Sequence, residues 1–303
     1  MTYDALVIGG SFAGLSAAMH IARARHSVCV VDAGLPRNRF AAASHGFFGQ
    51  DGAAPYAMIE QARNKLLAYP AVTFVNGSVT SAQADKGDRF DVRLASEERI
   101  AATKLVLAFG VTDVLPDVPG LAELWGKRVL HCPYCHGFEF GGEALGVLNV
   151  SPMSSHQALL ISDWGPTTFF LNGRDDLDDA TRMKLAHRQI AIEEAAVMAV
   201  EGTADQPLQI ILSDGRSRSV AALYTATRTR MNSPVAEQLG CAFDDGPFGP
   251  VIRTDGAKMT TVAGVYAAGD IARTPHNATF ASADGVLAGV SLHQALLFGS
   301  LPS

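Results

Sequence analysis

The chain has 303 residues, 24 Lys+Arg against 30 Asp+Glu for a net charge of −6, 48% hydrophobic residues and 18% charged ones. At ~150 residues per domain, that length predicts about two domains, each able to bury a core without disulfide staples. The composition excludes a disordered chain, the missing basic excess excludes phosphate-driven nucleic-acid binding, and no apolar run reaches the ~20 residues that span a bilayer.

In chain order, Tyr3–Ile8 reads as a short apolar strand, Gly9-Gly10-Ser11-Phe12-Ala13-Gly14 as a tight turn, Leu15–Arg25 as a helix and Ser27–Val31 as a second strand closed by Asp32. The opening carries no basic segment and no cleavage site, so a cytoplasmic protein is expected. The β-α-β unit is a dinucleotide-binding frame. Its fingerprint needs small residues for the turn, for close approach of a pyrophosphate and for helix–strand packing. Gly9, Ser11 and Gly14 hold those places, Ser11 being a departure whose hydroxyl can itself meet a phosphate oxygen. Asp32 stands where an acid takes a ribose hydroxyl, which favours FAD or NAD over NADP at this turn. The alternative for the glycines alone is an ordinary tight turn.

A polar and aromatic loop follows, from Pro36 to Gly49, in which Arg37 and Arg39 face either a cofactor phosphate or solvent. In the same loop, His45-Gly46-Phe47-Phe48 lies beside a cofactor or in the core. Pro55–Tyr69 is helical by pattern, 71–80 and 88–95 alternate as strands, and Leu105–Gly110 is a buried strand ending in glycine. Pro116, Pro119 and Gly120 punctuate a linker. Beyond it, strands are predicted near 145–150, 167–171, 208–212 and 220–226, with a charged helix over 178–188. A strand at Gly264–Ala267 then runs into Gly269-Asp270, and a last helix covers Ala283–Phe298.

Cys132-Pro133-Tyr134-Cys135 is the sharpest feature. Thiols at this spacing can close a small disulfide ring, and Pro133 suits a first helical position. Zinc would need two further ligands, and flanking His131 and His136 do not easily complete a tetrahedron. Redox use is therefore favoured, no metal is expected, and Cys29 and Cys241 read as small core residues. Phe138 and Phe140 either cover the pair or are buried. Arg228 and Arg230 have no assignable partner.

The order of these features resembles the low-molecular-weight thioredoxin reductases, a family of FAD flavoproteins. The resemblance rests on the opening β-α-β unit, Leu107-Ala108-Phe109-Gly110, the Cys-x-x-Cys and Gly264-Val265-Tyr266-Ala267-Ala268-Gly269-Asp270, and runs nearly end to end. It implies an α/β protein of two Rossmann-like three-layer domains. An FAD-binding domain (1–115 and 245–303) is interrupted by a pyridine-nucleotide-type domain (116–244) that carries the cysteines. It also implies that Gly9, Ser11, Gly14, Asp32, Gly110, Gly269, Asp270 and Ala278 bind FAD. Asp270 would face the ribityl chain, and His276-Asn277-Ala278 stands where the family has Arg-Gln-Ala. Cys132 would exchange with substrate and Cys135 would face the flavin.

Two departures shape the functional expectation. His136 replaces the family's aspartate after the second cysteine, and the string Cys132–Glu139 is similar to the branch that oxidises small-molecule dithiols. An imidazole there can move protons near neutral pH. His131 has no such support and reads as structural. In the insert, Asn149-Val150-Ser151-Pro152-Met153-Ser154-Ser155-His156 fits no glycine fingerprint, and Asn172-Gly173-Arg174-Asp175-Asp176 offers one arginine beside two aspartates for a 2′-phosphate. NADPH is thus not expected as a cofactor, and the insert is expected to serve as scaffold. The expected function is dithiol oxidation through Cys132, Cys135 and His136, with electrons passing to FAD and then dioxygen. One alternative is a thioredoxin-type disulfide reductase fed by NADPH or another donor such as ferredoxin. The other is a flavin redox sensor or interaction protein. A small-molecule dithiol or small redox protein is the expected partner, neither nucleic acid nor membrane is expected, and a homodimer follows from the resemblance.

Overall fold

The computed structural model describes residues 2–85 and 89–299. Residue 88 of one expected strand, and the outermost residues assigned to the FAD-binding segments, Met1 and 300–303, lie outside the described residues.

The chain runs β1 (Thr2–Ile8), α1 (Phe12–Arg23), β2 (Val28–Asp32), α2 (Pro55–Leu67), β3 (Val72–Asn76), β4 (Val79–Ala84), β5 (Phe90–Leu94), β6 (Arg99–Leu107) and β7 (Val111–Val114). It continues through β8 (Val129–Leu130), α3 (Pro133–His136), β9 (Leu145–Leu148), α4 (Ser154–Ile161), β10 (Thr167–Phe170), α5 (Asp179–His187), β11 (Ala191–Glu193) and β12 (Val197–Glu201). After these come β13 (Leu208–Leu212), β14 (Ser217–Val220), β15 (Ala222–Thr225), β16 (Arg228–Met231), α6 (Val235–Gln238), β17 (Phe243–Gly246), β18 (Gly249–Ile252), β19 (Val265–Ala267) and α7 (Ala278–Phe298). The described residues pack into two units. One takes the chain up to Arg39, Pro55–Thr112 and the residues from Arg230 on; the other takes Phe40–Ala54 and Asp113–Thr229.

The first unit is built on a sheet ordered β3-β2-β1-β6-β5-β4. β1, β2, β3 and β6 are mutually parallel, and β4 and β5 run antiparallel. β6 is long enough to serve two neighbours on one edge: Arg99–Ala102 pair with β5, and Leu105–Leu107 pair with β19. Side chains alternate across a strand. Ala5 and Val7 therefore join the core under α1 and α7, while Leu6 and Ile8 join the core on the opposite face with Cys29 and Cys241. Both cysteines are buried thiols, and burial pushes Cys29 up to about 11. They pack as small hydrophobes.

α1 and α7 approach through bare backbone. A Cβ on Gly285 would lie 2.0 Å from the Ala13 carbonyl oxygen, and one on Gly289 would lie 2.6 Å from that of Ala17. Glycine at this spacing turns α7 into a helix that can lie directly against α1, which is why its 21 residues need no strongly amphipathic pattern.

The second unit has a parallel sheet ordered β11-β10-β9-β15-β8 and an antiparallel β12-β13-β14 ribbon. Two buried clusters line it, one around Phe170, Ile210 and Leu223, the other around Val147, Phe169 and Tyr224. Asp178 caps α5 by accepting from the Thr181 amide at 2.7 Å. The two Rossmann-like sheets give the α/β class read from the sequence. The loop Phe40–Ala54, expected among the FAD-binding residues, packs with this unit instead: Phe40 lies where a Cβ on Gly126 would fall, at 2.5 Å, and His45 pairs with Glu139. Among the described residues, no helix is long and apolar enough to cross a membrane.

Replacing Gly285 by valine forces backbone away from backbone, and it should destabilise the folded protein by about 3 kcal/mol or more. Gly256→Ala, which meets open space, should stay within about 0.5 kcal/mol of the parent. Thermal unfolding of the two variants checks the difference.

Candidate functional site

In the first unit, the carboxyl ends of β1, β6 and β19 end in register, with Ile8 beside Leu107 and Ala267 beside Leu107. Open α/β sheets bind ligands at that end. The turn after β1 has no room for side chains. Gly9 has φ of +110°, and a Cβ on it would stand 2.2 Å from the Ala108 carbonyl oxygen; one on Gly14 would stand 1.8 Å from that of Gly9. Ser11 is the residue before α1, and its hydroxyl makes no capping hydrogen bond. The first-turn amides of α1 and the Ser11 hydroxyl thus face the same anion-binding position.

Asp32, at the end of β2, accepts from the Gly10 amide at 2.9 Å. The sequence reading passed over Gly10, whose missing Cβ leaves space for the Asp32 side chain, 2.7 Å from where that Cβ would be. The carboxylate's other oxygen remains for a ribose hydroxyl. Gly269, at φ +82°, brings the chain against Ala13 and Ala281. Asp270 follows it, held by Arg37 at 2.9 Å, and Arg37 also reaches His276 Nδ1 at 2.7 Å. Arg37, a loop residue with two candidate roles in the sequence, is therefore the partner of Asp270. Asn277 caps α7 by accepting from the Thr279 amide at 2.8 Å, which sets Ala278 as the first helical residue. Gly110, at φ +66°, accepts from the Asn232 amide at 3.2 Å. Gly9, Ser11, Gly14, Asp32, Gly269, Asp270 and Ala278 converge on one end of the sheet. A turn with no room for a Cβ at Gly9 and Gly14, a helix N-terminus and a placed acid fit the diphosphate and ribose of FAD.

In the second unit, Cys132 and Cys135 form a disulfide. Cys132 is the residue before α3, Pro133 opens that helix, and the Cys135 amide donates to Cys132 Sγ at 3.2 Å. On reduction, the same N–H favours the thiolate at Cys132 over the thiol. Gly137 is fixed by packing: its Cβ would meet Pro133 O at 2.6 Å and Trp164 Nε1 at 2.8 Å. Tyr134 stands edge-on to Trp164 with ring centres 5.5 Å apart, and Tyr134 and Phe138 are exposed beside the disulfide. Phe140 instead packs at the edge of the core, with the Arg128 guanidinium over its ring.

His136 accepts at its carbonyl from the Tyr224 hydroxyl at 3.2 Å, which anchors the end of α3 to β15. Burial holds the His136 imidazole below its ordinary value, and nearby His45 adds to that, while Glu139 works against it. The ring is therefore neutral near pH 7 and can accept a proton. His45, read from the sequence as a cofactor neighbour or a core residue, lies 6.3 Å from His136 between ring centres. Sequence spacing gives no signal for this pairing across ninety residues. His131 contributes its carbonyl to Gln157 Nε2 at 2.7 Å, and Arg228 stands in β16, one of the two strands that carry the chain between units. Among the described residues, no group of three or more His, Cys, Asp or Glu side chains is placed to hold a metal ion.

The second dinucleotide-type turn lies between β9 and α4. Its Val150 and Ser151 amides both donate to Ser154 Oγ, at 3.0 and 3.1 Å. Asn149 Nδ2 donates to Asp176 at 2.8 Å, and Arg174 stands 3.5 Å from the same carboxylate.

The model of the pyridine nucleotide-disulphide oxidoreductases matches residues 3–150 and 167–285. Thioredoxin reductase tcpT of Claviceps purpurea is 32% identical, over 94% of this chain and 92% of its own. Thioredoxin reductase sirT of Leptosphaeria maculans is also 32% identical, over 95% and 92%. An oxidoreductase structure from Agrobacterium tumefaciens superimposes with a TM-score of 0.94 at 44% identity, covering 99% of this chain and all of that one. These findings overturn the expectation that NADPH is not a cofactor. The family match takes in most of the inserted unit, leaving out residues 151–166, and relatives named thioredoxin reductases imply NADPH dependence. A glycine fingerprint is only one way to present amides to a phosphate. Here the strand–turn–helix frame of β9 and α4 persists with serines in the turn. The chain belongs to the pyridine nucleotide-disulphide oxidoreductase family and is an FAD-dependent thiol–disulfide oxidoreductase whose redox-active pair is Cys132 and Cys135.

Proposed function

We propose that the protein is an NADPH-fed disulfide reductase of the thioredoxin reductase kind, acting on the disulfide of a small redox protein or small molecule. The observation that carries this reading is the pairing of an exchange-ready Cys132–Cys135 disulfide with a family match over most of both units. FAD, when bound, supplies the relay of an electron pair from NADPH to that disulfide. Gly9, Ser11, Gly14, Asp32, Gly110, Gly269, Asp270 and Ala278 are the residues proposed to hold it. A homodimer in the cytoplasm is the proposed form and place.

The protein's own groups carry the exchange. The reduced Cys132 sulfur, stabilised by the Cys135 amide, attacks one sulfur of the substrate disulfide. A mixed disulfide forms and the first substrate thiolate leaves, taking from His136 the proton that Cys132 gave up on becoming a thiolate. Cys135 then attacks Cys132, which releases the second substrate thiol and restores the Cys132–Cys135 disulfide. Two electrons and two protons reach the substrate in each cycle. His136, neutral because it is buried, takes the proton from Cys135 and returns it to a departing thiolate.

Under anaerobic conditions, NADPH should bleach the flavin of the oxidised protein, and an added disulfide substrate should restore the colour. Bleaching by a dithiol but not by NADPH would overturn this reading in favour of dithiol oxidation. No bleaching by either would point to a sensor. Cys135→Ser should leave flavin reduction by NADPH intact and abolish turnover of the disulfide.

Because burial lowers His136, the acid limb of the exchange rate should fall below the usual histidine range around pH 6.5, with the rate lost as pH drops through it. His136→Asn should remove that limb and slow exchange by about 10²-fold or more. At the second turn, a nucleotide phosphate competes with Ser154 Oγ for the Val150 and Ser151 amides. Ser154→Ala frees them, and NADPH affinity measured by equilibrium titration should rise roughly 5-fold, the worth of about one hydrogen bond.

A further inference from the structure

We propose that His45 is a positioning residue of the disulfide site: held between two carboxylates and edge-on to His136, it sets the protonation of His136 during thiol–disulfide exchange. The inference rests on the reading that His136 moves protons.

Three distances define the array. His45 Nε2 lies 3.3 Å from Glu139 Oε1, and His45 Nδ1 lies 3.5 Å from Asp51 Oδ1. The His45 and His136 rings are perpendicular, 87° apart, with centres 6.3 Å apart. The loop is shaped to deliver the ring. Ser44 pairs with Ala53 across its neck, and the Gly46 amide donates to Asp51 Oδ1 at 2.8 Å. Gly46 itself turns at φ +74°. All of these residues belong to the same packed unit as the disulfide.

The chemistry follows from what an imidazole can offer. Each ring nitrogen of His45 faces one carboxylate. His45 opposes a proton at His136, and its contact with Glu139 engages the carboxylate that favours a proton there. Both effects keep His136 in its base form. The titratable groups around the two rings are Asp51 from the loop, Glu139 from the turn after α3, and Tyr224 from β15, whose hydroxyl binds the His136 carbonyl and whose phenol is pushed up by burial. His45, in contact with Glu139 and edge-on to His136, is the group whose removal should shift the balance.

The test uses the full-length, FAD-loaded protein. Histidine NMR titration of the oxidised form is compared between the parent, His45→Gln and Glu139→Gln, alongside the pH profile of exchange between the reduced form and a model disulfide. With the two rings about 6 Å apart and partly solvated, His45→Gln should raise the His136 midpoint by about 0.5–2 pH units. The acid limb of the exchange rate should move up by the same amount. Glu139→Gln should lower the midpoint, and a merely structural role for His45 would produce no such opposition between the variants. Retained flavin absorbance and unchanged thermal unfolding identify variants that have folded. A His136 midpoint unmoved in both folded variants overturns the inference. A midpoint that moves while neither His45→Gln nor His136→Asn alters the exchange profile upholds the coupling and refutes the proton role of His136.

Discussion

The architecture depends on backbone lying directly against backbone. Gly14 sits on the Gly9 carbonyl, Gly9 on that of Ala108, and Gly285 and Gly289 on those of Ala13 and Ala17. Each contact is closer than any side chain permits. Together they bind β1, α1, β6 and α7 into a stack with fixed spacing. The consequence is positional: α1 begins where β1, β6 and β19 end, and Gly269 arrives there against Ala13. The N-terminus of α1, Asp32 and Asp270 thus share one sheet end without any loop being asked to find them. The entropy of ordering this region is offset by core packing on both faces of the sheet rather than by the polar groups themselves.

The disulfide site follows a different logic, because its chemistry is local. Cys132, Pro133, Cys135, His136 and Gly137 lie within six consecutive residues, and one turn of helix brings an amide to the first sulfur. Strict steric demands surround it: only glycine fits at position 137, because Trp164 and the Pro133 carbonyl leave no space for a Cβ. Such a short helix has little stability of its own. Its anchorage comes from Tyr224, a fully buried residue whose hydroxyl meets the His136 carbonyl. The redox pair is thus a small unit pinned to the central strands of a rigid sheet.

This contrast explains what could be read from the sequence. The first turn, the Cys-x-x-Cys and Gly269-Asp270 were legible because each is a contiguous string with a steric or chemical requirement of its own. Strands such as β9, β10 and β13 were legible from apolar runs. By comparison, β11, β12, α4 and α6 are short or lack a period, and their residues take structure from neighbours distant in sequence. β6 was seen only over its buried end, since Arg99–Lys104 alternates with polar residues along the pairing with β5. Arg37 with Asp270, and His45 with Glu139, join residues far apart in the chain, and nothing in their local context announces the partner.

The insert's nucleotide turn shows where a motif test misleads. A fingerprint counts glycines, whereas an anion responds to amide hydrogens and the charge around them. In the first unit, the Gly10 amide is committed to Asp32, and the Ser11 hydroxyl makes no cap on α1. In the second, two turn amides are satisfied by Ser154 Oγ, so the turn holds its shape without an anion. A buried hydroxyl in that position performs the capping that a phosphate would otherwise perform, and it can be displaced at the cost of about one hydrogen bond. Asp176 adds a second influence, because its negative charge draws both Asn149 and Arg174 to itself. Under the proposed function, nucleotide binding at this turn involves exchange of internal partners for external ones. That is a graded thermodynamic competition, which presence or absence of a glycine string cannot express.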